Sequence, residues 1–122
     1  MASLVLVVET DNLLRDLMQL ALTRAGYDVR AAADPATALA LVDAGAAPDA
    51  AVIDLFQPGL SGLKLMQELR ARPGLATVPL IVISALGFGE IVEQAVAAGA
   101  NDFILKPFDP AVLAPKVGRL LA

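Results

Sequence analysis

A small set of residues stands where side-chain chemistry could be concentrated. Glu9, Thr10 and Asp11 form one run, Asp54 and Ser84 each close an apolar block, and Lys106 precedes a proline. Asp54 follows Ala-Ala-Val-Ile, so a buried strand would deliver its carboxylate to the edge of a sheet, where a lone acid is a poor choice for stability. Glu9 holds the same place after Leu4 to Val8. Two acids on adjacent strand ends repel unless a cation lies between them, and a hard divalent metal such as Mg²⁺ meets that need. Lys106 adds a fixed positive charge and Ser84 a hydroxyl. Together these make a site for an oxyanion, and an Asp beside Mg²⁺ and Lys suits acceptance of a phosphoryl group. The same residues also fit a purely structural acid cluster, or strand-end acids that cap helices or are solvated by their loops.

Composition narrows the chemistry further. The 122 residues contain no Cys and no His, which excludes disulfides, the usual zinc sites, and catalysis resting on thiolate or imidazole. Nine Lys and Arg against thirteen Asp and Glu give a net charge of −4, which offers no basic footprint for nucleic acid. Charged residues, Pro or Gly interrupt every apolar run before the ~20 residues that a membrane span needs. No basic residue precedes the first apolar run, so a secretory signal is not expected, and a cytoplasmic, soluble protein of one domain over 1–122 is.

The elements that must position the site alternate along the chain. Leu4 to Val8, Tyr27 to Ala33, Ala50 to Leu55, Pro79 to Ser84 and Asp102 to Lys106 read as strands, the second the weakest. Between them, apolar residues three and four apart mark helices. The first is capped by Asn12 and ends at Gly26, the second opens on Asp34-Pro35, the third spans Leu63 to Arg72, and the fourth spans about Glu90 to Ala98. Gln57-Pro58-Gly59-Leu60-Ser61-Gly62 reads as a loop. Asp109-Pro110 opens a last helix that Pro115 should kink. Five β-then-α units predict a three-layer α/β fold, a five-stranded parallel sheet doubly wound by helices, with ligands at the carboxyl ends of its strands.

In that order and spacing, the segments Leu-Val-Leu-Val-Val-Glu9, Val-Ile-Asp54-Leu-Phe-Gln-Pro58-Gly59-Leu-Ser-Gly62, Val-Ile-Ser84-Ala85, Ala98-Gly99-Ala100-Asn-Asp-Phe103 and Lys106-Pro107-Phe108 resemble the receiver domains of two-component response regulators. The resemblance runs from about Leu4 to Leu121. It implies a flavodoxin-like (βα)5 fold in which Asp54 takes a phosphoryl group from a histidine kinase or phosphotransfer protein. Mg²⁺ would be held by Glu9, Asp54 and the backbone carbonyl of Phe56. Lys106 would pair with a phosphoryl oxygen, Ser84 would move to another, and Phe103 would turn inward behind it. The face made by the fourth helix, fifth strand and fifth helix would meet partners, including a second copy in a homodimer. Lys106-Pro107 resembles the family's cis-peptide site.

One position departs from the family. Two adjacent acids usually follow the first strand, and here Thr10 stands in the second place, offering the metal a neutral hydroxyl. Asp11 is expected to face the start of the first helix instead. Phosphorylation with weakened Mg²⁺ dependence is the leading expectation, and a receiver-like interaction module that works without phosphorylation is the alternative. A phosphatase of the aspartyl-phosphate type is discounted because Phe56 occupies the place of its second acid. Any phosphoryl transfer would be self-catalysed on a signalling domain. Self-hydrolysis should be slow, because Phe56 and Leu86 are bulky, apolar and unable to orient water.

Overall fold

The alternation read from the sequence is the alternation of the fold. The computed structural model describes residues 2–56 and 62–122; of the loop expected over 57–62, residues 57–61 lie outside the described ones, and Gly62 is the first residue of a helix instead. In chain order the elements are β1 (Leu4–Val8), α1 (Asn12–Arg24), β2 (Asp28–Ala32), α2 (Pro35–Asp43), β3 (Ala50–Asp54), α3 (Gly62–Arg70), β4 (Leu80–Ser84), α4 (Gly89–Ala97) and β5 (Asp102–Leu105). A 3-10 turn at Pro110–Val112 then leads into α5 (Leu113–Leu121). The sheet runs β2-β1-β3-β4-β5 with every neighbouring pair parallel. The strand order reverses between β1 and β3, the switch point where such sheets bind ligands.

Alternate residues of each strand point to opposite faces. Val5, Val7, Val52, Ile81, Ile83 and Ile104 pack with Met18 and Leu22 of α1 and Leu113 and Val117 of α5. Leu6, Val8, Ile53, Leu80 and Val82 pack on the other face with Ala38 of α2, Leu65 and Met66 of α3, and Ala95 of α4. Fully burying a side chain of this size contributes about 2 kcal/mol, so the central strands are held firmly from both sides. β2 is the edge strand next to β1, and its Asp28 and Arg30 are exposed. That explains its weak apolar signal. Among the described residues, no helix is long and apolar enough to cross a membrane.

Two local expectations are corrected. Asp11, rather than Asn12, is the N-cap of α1; its carboxylate accepts from the Leu14 N–H at 2.8 Å, and Asn12 is already helical. Pro115 falls in the first turn of α5, beyond the 3-10 turn, where its missing N–H and fixed φ are tolerated. The Asp34-Pro35 and Asp109-Pro110 starts stand as expected, with each Asp side chain accepting a backbone N–H.

Candidate functional site

Register assembles the site before any side chain is considered. Val8 pairs with Ile53 across β1 and β3, so the next residues, Glu9 and Asp54, emerge side by side from strands about 4.8 Å apart. Asp54 pairs with Ile83, and Ser84 with Leu105, so Ser84 and Lys106 follow in the same row of strand ends. Glu9, Asp54 and Ser84 are the buried polar residues among the described residues, and all three lie at this edge.

Lys106 reaches back across the end of β4. Its Nζ donates to Asp54 Oδ2 at 3.1 Å and lies 2.7 Å from Glu9 Oε1. Glu9 is almost fully buried, and its Oε1 faces the Lys106 ammonium in this close ion pair. The other carboxylate oxygens take backbone donors. Glu9 Oε2 accepts from the Asp11 N–H at 3.0 Å, and Asp54 Oδ1 from the Phe56 N–H at 3.2 Å. Burial, followed by repulsion from Glu9, raises the Asp54 carboxyl above its ordinary pKa, against the pull of Lys106. Burial works against the Lys106 ammonium, but its contacts with Glu9 and Asp54 outweigh it and hold its pKa above the ordinary lysine value.

The other sequence-derived residues are placed less uniformly. Ser84 is fully buried, but its hydroxyl serves its own loop, accepting from the Leu86 N–H and donating to the Leu86 carbonyl, both at 3.0 Å. Thr10 is exposed on the turn after β1, and Asp11 is committed to capping α1. Phe56 and Leu86 are exposed on the loops that follow β3 and β4. Phe103 is half-buried on β5, packed against the core under α2 to α4. The Lys106-Pro107 peptide bond is cis.

Sequence reasoning missed two features here. Arg15, on the first turn of α1, donates to the Glu9 carbonyl at 2.9 Å and to the Thr10 carbonyl at 3.4 Å. The available signal was a cation placed near a helix N-terminus, where the dipole disfavours it. In addition, a pocket beside the acids is lined by Asp11, Leu13, Leu14, Leu17, Lys106 and Phe108.

Two buried carboxylates side by side on adjacent strand ends fit a hard cation of the Mg²⁺ kind, which binds through one or two carboxylates and keeps several waters. A third acid is missing, and no group of three acidic, His or Cys side chains among the described residues could hold a metal.

Fold and site together define a class: a doubly wound α/β domain with two carboxylates and a lysine gathered at its switch point. The family model for the response regulator receiver domain matches residues 5–117, and the chain belongs to that family of two-component signalling domains. It is 39% identical over 117 residues to the transcriptional regulatory protein CseB of Streptomyces avermitilis, covering 96% of this chain and 48% of that protein. To the two-component response regulator PhoP of Pseudomonas aeruginosa it is 38% identical, covering 95% and 50%. The chain thus spans about half the length of these relatives. Among solved structures, the chemotaxis protein CheY4 of Vibrio cholerae superposes with a TM-score of 0.93 at 27% identity, covering 99% of this chain and 100% of that one. The receiver domain of a Pseudomonas aeruginosa sensor histidine kinase, solved with a magnesium ion coordinated in its active-site cleft, matches with a TM-score of 0.87 at 28% identity, covering 99% and 98%.

Proposed function

We propose that Asp54 is a phosphoacceptor, loaded from a phosphohistidine on a histidine kinase or phosphotransfer protein. The observation that supports this best is the Lys106 ammonium held between Asp54 and Glu9 at the switch point of the sheet. A carboxylate oxygen of Asp54 attacks phosphorus, the new P–O bond forms as the P–N bond breaks, and the imidazole leaves with that electron pair and takes up a proton. Lys106 neutralises charge on the transferred oxygens. Ser84 releases Leu86 to bond another oxygen, and Phe103 follows into the space vacated. Glu9, Asp54 and the Phe56 carbonyl would hold Mg²⁺, which supplies further neutralisation of phosphoryl charge when bound. With Thr10 in the place of an acid, that dependence is weakened.

The phosphodonor approaches over α1. Leu13, Leu17 and Leu20 are exposed at helical spacing on that helix, and the first two line a pocket that reaches Lys106. This apolar stripe suits a helical partner that carries its histidine at the rim of the pocket.

Incubation with acetyl phosphate and Mg²⁺, read by intact mass, tests the proposal. One phosphoryl group should add to the unsubstituted chain and none to Asp54→Ala. The adduct should then decay slowly, since exposed Phe56 and Leu86 cannot orient a water. No mass gain at any Mg²⁺ concentration would refute the acceptor role and leave a phosphorylation-independent interaction module.

A further inference from the structure

We infer that Arg15 is a positioning residue for the acid pocket, its guanidinium pinning the carbonyls of Glu9 and Thr10 and so fixing how the first turn presents its ligands. The inference rests on the phosphoacceptor reading above and concerns how the cation half of that site is built.

Arg15 is the residue that closes the first turn of α1, its N–H bonded to the Asp11 carbonyl at 2.9 Å. From there its half-buried side chain doubles back past the helix N-terminus. One arm, Nη1, donates to Glu9 O at 2.9 Å and Thr10 O at 3.4 Å, and the other, Nη2, donates to Asn12 Oδ1 at 2.7 Å. A cation at this end of a helix opposes the macrodipole, and none of these acceptors is a carboxylate, so the placement is not an ion pair sought for its own sake. What it does is geometric. The planar fork fixes several acceptors at once, and a lysine cannot reproduce it.

The peptide groups held are those that carry the pocket. Glu9 has its Oε2 anchored by the Asp11 N–H and its Oε1 turned to Lys106, so both ends of this side chain depend on where the turn lies. Release of the Glu9 and Thr10 carbonyls lets the turn rotate and moves Glu9 relative to Asp54. Two carboxylates must face one point to share a cation, and a site with only two has no third to compensate for the loss. Groups that orient ligands without touching the metal commonly govern affinity by tenfold or more.

Calorimetric titration of Mg²⁺ into the unsubstituted chain, Arg15→Lys, Arg15→Gln and Asn12→Ala tests this, alongside thermal unfolding without Mg²⁺. The half-saturating concentration should rise about tenfold in both Arg15 variants, and by a smaller factor in Asn12→Ala, which only loosens the fork. Acetyl phosphate labelling at saturating Mg²⁺ should reach the same plateau in all four, a split that general destabilisation would not produce. Wild-type affinity in Arg15→Lys would overturn the inference, because charge alone would then suffice. Tighter binding by Arg15→Gln would overturn it too, by showing that the guanidinium merely repels the cation. If the Arg15 variants do not fold, Asn12→Ala decides, and an unchanged titration there sinks the idea. An unsubstituted chain that neither titrates nor labels refutes the phosphoacceptor reading, and this inference with it, whereas a normal wild type with indifferent variants refutes this inference alone.

Discussion

At the scale of single residues, the charge count of the pocket governs its behaviour. Glu9 and Asp54 contribute two negative charges, and Lys106 offsets one from within. Asp11 is directed to α1, where its Oδ1 caps the helix by accepting from the Leu14 N–H. Thr10 is therefore the position at which an acid would change the balance. Thr10→Asp should tighten Mg²⁺ binding by roughly tenfold, about 1.4 kcal/mol, since ligand charge sets affinity for hard cations. The same change should lower the melting temperature without Mg²⁺, because a third carboxylate joins a cluster that Lys106 only partly neutralises. Calorimetric titration and melting of both forms check the two halves. Equal affinities would mean that Thr10 does not limit the site.

At the scale of elements, the site depends on how closely α3 can approach the end of β3. A Cβ on Gly62 would lie 2.5 Å from Leu55 Cα and 2.7 Å from Asp54 O, both backbone atoms that cannot swing aside. The Gly62 N–H donates to Leu55 O at 2.8 Å, so helix and strand end are already in direct contact. Gly62→Ala must push α3 away. It should cost about 1–3 kcal/mol in chemical denaturation, as overpacking does, and slow labelling of Asp54 as well; unchanged stability and labelling would show that the site does not depend on this close approach. Elements of this kind were mostly legible in the sequence, because strand blocks, Asp-Pro starts and terminal glycines are local signals. The failures were local too. Asp11 and Asn12 are both good caps, and only the φ/ψ of the chain decides between them. Pro115 looked like a helix breaker until the 3-10 turn moved it into a first turn. Of the site, the strand-end row of Glu9, Asp54, Ser84 and Lys106 could be read from chain order. The Ser84–Leu86 latch and the Arg15 clamp could not, since their partners are backbone groups that carry no sequence signature.

At the scale of the whole molecule, the buried polar residues among the described residues all lie at one edge of an otherwise apolar interior, and folding stability should register their cost. Asp54 is the clearest case. Its folded pKa is raised from the ordinary 3.8 by burial and by Glu9, so the folded chain holds that proton more tightly than the unfolded chain does. Stability tied to the bound proton is complete below 3.8 and is lost as pH rises through the folded value. Wherever Asp54 is ionised it therefore carries its charge at a net penalty, one that the Lys106 contact reduces without removing. Asp54→Asn eliminates the titration and leaves Glu9 facing Lys106 alone. The variant should melt at a higher temperature than the unsubstituted chain at pH 7, and the gap should close as pH falls toward 3.8. Melting curves for both proteins across that range measure it. A less stable Asn variant at pH 7 would mean that the Lys106–Asp54 pair outweighs burial and repulsion, and that the acceptor contributes to the fold instead of straining it.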